Sequence, residues 1–149
     1  MDYDKKKHFE LLTYSQRLET ENKHIYDESK KDFFALQSYS IILIDHLHWE
    51  NREHYFELIE GFLNGPIDFL PLRKKHRAIN NAKEMLSAEL ILLEPNPKSE
   101  GFGDLIDDVI SVFDEYCAKV GDEDELSDSD VKTIVEEIFK EIKDQFPLI

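Results

Sequence analysis

Residues 101–144 read GFGDLIDDVISVFDEYCAKVGDEDELSDSDVKTIVEEIFKEIKD, and this stretch decides the fold class. Phe102, Leu105, Ile106, Val109, Ile110, Phe113, Tyr116 and Cys117 recur at three-and-four spacing, as do Val131, Ile134, Val135, Ile138, Phe139, Ile142 and Phe146. That period lays large apolar side chains along one face of a helix. Asp104, Asp107, Asp108, Asp114 and Glu115 fall on the opposite side of the first helix, and Cys117 is expected in the core. Gly121 ends that helix and the acidic loop Asp122, Glu123, Asp124, Glu125 follows. Ser127 then caps the second helix, with Asp130 three residues on and Leu126 and Val131 placed as a hydrophobic staple. Pro147 stops it. From Asp104 to the C-terminus there are 15 Asp and Glu against 4 Lys, so this third carries about −11 of the chain's net −15. The negative charge is concentrated.

Upstream, Tyr55, Phe56, Ile59, Phe62 and Leu63 repeat the helical period until Asn64-Gly65-Pro66, where a left-handed glycine and a proline would end the helix. Asp68 can cap the next helix, with Ile67 stapled to Leu72 and Pro71 inside the first turn, where a missing N–H breaks no bond. Phe69, Leu72, His76, Ile79, Lys83 and Leu86 share one side of it, and Arg73, Lys74, Lys75 and Arg77 form a compact basic cluster. Pro95-Asn96-Pro97 breaks the apolar character, and Lys98 to Gly103 reads as a loop with two glycines. Residues 5–23 read as a polar helix. The dense apolar block from Phe33 to Trp49 reads as a buried helix, with a strand over Tyr39–Leu43 the alternative on propensity.

The expected fold is therefore all-α. It is an antiparallel four-helix bundle (52–64, 68–93, 102–119, 128–145) within 51–149, plus an N-terminal helical extension over 1–50, all in one domain of 1–149. With 149 residues, 41% hydrophobic content and 17 aromatic rings, the chain can bury a real core. Its N-terminus lacks the apolar region of a secretory signal, and the run Tyr39–Leu47 is broken by Ser40, Asp45 and His46, far short of the roughly 20 residues a bilayer crossing needs. A cytoplasmic protein is expected. One cysteine excludes an intrachain disulfide framework. Net charge −15 repels nucleic-acid phosphates and anionic lipid and attracts cationic surfaces; no direct nucleic-acid or membrane contact is expected, and the sequence sets no oligomeric state.

Chemical motifs are weak. His46, Glu50 and His54 would share one face of a continuous helix, but no His-Glu-x-x-His arrangement or cysteine supports a metal, and none is expected. Asp107-Asp108 and Glu136-Glu137 are adjacent yet lie on solvated faces, and no carboxyl reads as desolvated on an apolar stripe, so no catalytic residue is assigned. Glycine-rich phosphate loops and nucleophile elbows are absent from the sequence, and no cofactor is expected.

From Tyr55 to about residue 146, several features occur in a fixed order. These are an apolar helix, the Phe62-Leu63-Asn64-Gly65 turn, the Asp68-Phe69 start, the segment Ser111-Val112-Phe113-Asp114-Glu115-Tyr116-Cys117, and a last helix begun by Leu-Ser-Asp. In this order the chain resembles the bacterial colicin-like immunity proteins. The resemblance covers about two thirds of the chain. It implies a small helical bundle that inhibits a tRNA-cleaving ribonuclease toxin through an acidic surface, without being an enzyme. Asp107, Asp108, Asp114, Glu115, Asp122, Glu123, Asp124 and Glu125 are the expected partner-binding residues, set against a basic protein. The alternative is a helical adaptor or assembly subunit docking through Phe33, Phe34, Leu43 and Trp49.

Overall fold

The computed structural model describes residues 2–81, 94–118, 121, 123 and 126–148, and in these the chain is all-helical. Seven helices follow in order: α1 Lys5–Thr20, α2 Ile25–Glu28, α3 Lys30–Glu50, α4 Arg52–Asn64, α5 Leu70–Asn81, α6 Ser99–Ala118 and α7 Asp128–Gln145. Side-chain caps set several starts. Asp4 accepts from Lys7 N at 3.0 Å, Ser29 from Asp32 N at 3.3 Å and Asp68 from Leu70 N at 3.0 Å. At α7 the Ser127 side chain accepts from the Asp130 N–H at 3.0 Å while Asp130 accepts from the Ser127 N–H at 3.3 Å, a complete capping box. The expected spans 52–64 and 128–145 coincide with α4 and α7. Of the expected helix 68–93, residues 82–93 lie outside the described residues, including Lys83 and Leu86.

The core is built around α3. This helix touches α1 and α2 on one side and α5 and α6 on the other, its most extensive partner being α6. Burial on both sides explains why its sequence shows a dense block rather than a stripe, and Tyr39–Leu43 is helical, not strand. Ile44 and Trp49 from α3 join Tyr55, Phe56, Ile59 and Phe62 from α4, Leu72 and Ile79 from α5, and the apolar faces of α6 and α7 in one cluster. Residues set apart as an extension in the sequence thus supply core side chains. Trp49 stands edge-on to Phe102 and Phe146, and the Arg52 guanidinium covers its ring at 3.7 Å. Fully buried residues such as Phe113, Ile106 and Ile142 contribute roughly 1.5–3 kcal/mol each from apolar burial.

Three local expectations change against the coordinates. Gly65 is extended (φ −121°) rather than left-handed; its smallness is needed because a Cβ there would lie 3.1 Å from Gly61 O. All but Lys98 of the expected 98–103 loop is already helix, since Asn96 caps it: its carbonyl accepts from Ser99 N and Oγ and its side chain from Lys98 N. Both glycines then sit in the first turns of α6 for close approach. A Cβ at Gly101 would lie 2.9 Å from the Phe146 ring, and one at Gly103 would overlap Asp45 Oδ1. Cys117 is exposed, because Tyr116 takes the place beside Phe69 at the end of the apolar face. Gly121, in contrast, does adopt positive φ, +82°.

Candidate functional site

The acidic side of α6 forms as its period dictates: Asp104, Asp107, Asp108, Asp114 and Glu115 are all exposed. They do not all face open solvent without partners. Asp114 is paired with Arg73, and Asp107 Oδ1 accepts from His76 Nε2–H at 2.7 Å, so the basic side of α5 takes up two of the four expected α6 carboxylates. Both paired carboxylates belong to the set expected to bind a partner. Arg73 and His76, three residues apart on α5, reach Asp114 and Asp107 on α6 through their side chains. Among the described residues, Glu100, Asp104 and Asp108 have no ion-pair partner. Of the acidic loop, Glu123 is exposed, while Asp122, Asp124 and Glu125 lie outside the described residues.

Asp107 is also the surface end of a buried chain of hydrogen bonds. Tyr55 O–H donates to His48 Nδ1 at 2.6 Å, and His48 Nε2–H donates to Asn80 Oδ1 at 2.9 Å. Asn80 Nδ2 donates to His76 Nδ1 at 3.4 Å, and His76 donates to Asp107. The two imidazoles stack at 5.1 Å. Burial holds the His48 pKa below its ordinary value. Tyr55 is wholly buried, which raises its phenol pKa. The chain therefore ends inside the core and ties α3, α4, α5 and α6 together.

The residue that sequence reasoning missed is Asp45. It sits half-buried on α3 against Gly103 of α6, and its carboxyl pKa is raised to about 7, first by burial and then by Asp107, Asp104 and Glu100. This corrects the reading that no carboxyl is desolvated. Burial and the neighbouring Glu100, Asp107 and Asp108 also raise Asp104. Asp45 opens into a cleft of about 570 Å³ between α3, residues 95–100 and the N-terminal segment, with Ile41, Ile42, Pro97 and Glu100 among its walls. The signal was present as an acid inside the apolar run Tyr39–Leu47, but the face it occupies depends on where α6 packs.

The histidine cluster does not assemble as a continuous face. α3 and α4 are separate helices joined at Asn51, whose side chain donates to Leu47 O at 2.7 Å. His46 and Glu50 are 3.3 Å apart, but His54 belongs to the next helix, and His46 Nδ1 already accepts from Asn96 N at 3.1 Å. Among the described residues, no three His, Cys, Asp or Glu side chains are arranged to hold a metal ion, and no helix is long and apolar enough to cross a membrane. Compared with known proteins, the chain matches no family model, no curated protein and no solved structure.

Proposed function

We propose that this chain is a non-enzymatic acidic binding protein that masks the basic active cleft of a ribonuclease toxin in the cytoplasm, needing no cofactor. One observation carries the reading. Asp45, Glu100, Asp104 and Asp108 form a field of carboxylates without an internal cation among the described residues, held on two helices whose opposite faces are locked in the core. A ribonuclease must present cationic groups to hold phosphates, so an anionic surface of matching shape competes directly with RNA. The resemblance to colicin-like immunity proteins supports the same role. On that reading α4, α5, α6 and α7 correspond to the family's antiparallel four-helix bundle, and α3 reinforces it from the N-terminal side.

The test is capture of the one-to-one partner from cells that encode the chain, followed by assay of its tRNA cleavage with and without this protein. The expected partner is a basic ribonuclease that is silenced when bound and released by added salt or by Asp108→Lys. A partner without nuclease activity, or one whose binding is indifferent to salt and charge reversal, overturns the reading. A second reading, the helical adaptor, has one observation in its favour: Phe34 and Ile41 are 55% and 50% exposed on α3. Leu43 and Trp49, expected to dock with Phe33 and Phe34, are buried inside the protein and unavailable to a partner.

A further inference from the structure

Charge alone captures a partner quickly but holds it weakly; affinity comes from a few anchors in desolvated pockets. Phe34, Ser38, Ile41 and Asp45 are spaced four, three and four residues apart on α3, so they form one stripe along the helix. The stripe begins with two apolar side chains exposed by half or more and ends in the Asp45 cleft. The cleft's volume, about 570 Å³, lies within the range of sites that enclose a ligand group. Its walls are of mixed character, with Ile41, Ile42 and Pro97 beside Asp45 and Glu100, and no lysine or arginine lines it among the described residues.

We propose that this cleft is a docking groove for a segment of a basic protein partner, taking one lysine or arginine side chain against Asp45 and Glu100 while an adjacent apolar side chain covers Ile41 and Phe34. The inference rests on the binding-protein reading above and names where on the acidic surface the partner's anchor goes. Complementarity of charge selects the occupant: a neutral apolar segment would bury Asp45 and Glu100 unpaired, and an acidic one would be repelled. Asp45 is the strongest position for a cation because folding has already removed much of its water. A partner charge there acts through a lower dielectric than it would at Asp108 on the open helix face.

Occupation has a proton linkage. The titratable groups facing Asp45 are Glu100, Asp104 and Asp107 from α6 and Asp2 and Tyr3 from the N-terminal segment; α2 and α5 bring none into the cleft among the described residues. Asp107, Asp104 and Glu100 oppose ionisation of Asp45, and an incoming cation favours it. Binding therefore releases a proton near neutrality, and affinity drops as pH falls through about 7.

The test is amide NMR of the full-length, ¹⁵N-labelled chain titrated with Ac-Phe-Arg-Leu-Lys-NH₂. Ac-Phe-Gln-Leu-Gln-NH₂ and tetralysine amide serve as controls for apolar contact alone and charge alone, respectively. The expected result is saturable shifts confined to residues 34–45 and 95–100, with the first peptide binding about tenfold or more tighter than either control. Between pH 8 and pH 6 its affinity should fall about tenfold, following the ionised fraction of Asp45. Asp45→Asn should weaken binding and flatten the pH dependence, and Ile41→Gln, at an exposed position, should weaken binding while leaving the pH dependence in place. Shifts centred on residues 108–118, equal binding of tetralysine, or indifference to both variants overturns the groove. A captured ribonuclease whose complex ignores both variants overturns the groove alone. A saturable peptide site in a protein whose partner is not a nuclease sustains the groove and removes the ribonuclease reading.

Discussion

Asp45 is the residue at which folding and recognition compete. Its folded-state pKa of about 7 stands above the ordinary 3.8, so the folded protein bears an ionisation penalty that the unfolded chain does not. Above pH 7 the penalty is complete. As pH falls from about 7 toward 4 the folded state takes up the proton first and stability rises. His8 acts in the opposite direction: it is buried with Tyr3 O–H donating to Nδ1 at 2.8 Å, and burial lowers its pKa to about 4, so its contribution to stability is lost as pH falls from 6.5 toward 4. Burial lowers His48 as well. Comparing Asp45→Asn with the parent protein cancels the histidines. A fully dry site would make the penalty about 4 kcal/mol, but Asp45 is half open to solvent, and screening brings the expected gain for Asp45→Asn to about 1–2 kcal/mol at pH 8. The gain should vanish near pH 4; urea unfolding at pH 8, 6 and 4 measures it, and a gain that persists at pH 4 would contradict the assignment. The identity of this residue was legible in the sequence, but its environment was not. A helix buried on both sides has no single apolar stripe, so spacing does not tell which neighbour a polar residue meets.

At the scale of elements, local chemistry was read well at most boundaries, the conformation of Gly65 excepted. The capping box at Ser127 and Asp130, the Asp68 cap before Pro71, and the spans of α4 and α7 all follow from residues within one turn of the boundary. Ser127→Ala removes the side-chain acceptor of the Asp130 N–H and should cost about 1 kcal/mol, or a fall in Tm of about 2–4 °C for a chain of this size. Calorimetry checks it, and an unchanged Tm would mean the first turn of α7 is held by packing instead. The other misreadings arose where the cause lay on another helix. Gly101 and Gly103 look like loop glycines in one dimension, yet they are helical and small because Phe146 and Asp45 press on them. Cys117 shares a period with Phe113, but helix α6 runs past the end of its apolar neighbours.

Over the whole molecule, the carboxylates outnumber the cations by 15, and the pairing is uneven. α5 matches Asp107 and Asp114, whereas around Asp45, Glu100 and Asp104 like charges stand together, and after burial they are the second cause that raises the pKa values of Asp45 and Asp104. Raising ionic strength from 0.01 M to 0.15 M shortens the screening length from about 30 Å to about 8 Å. Salt should therefore raise Tm by several degrees while weakening any complex with a basic partner, two opposite responses measurable on the same sample. A Tm that falls with salt would show that attractive pairs, not repulsion, dominate the free protein. The acidity of the molecule was legible from composition. The part of it left available was not, because neutralisation depends on which helices lie side by side.

The contact between Gly103 and Asp45 carries an evolutionary consequence. With no room for a methyl group at one position unless the other retracts, the two sites cannot drift separately. A lineage that acquires alanine at 103 must shrink or redirect the residue at 45, losing the carboxylate or moving it from its present place at the head of the cleft; a lineage that keeps the carboxylate in that place inherits the glycine with it.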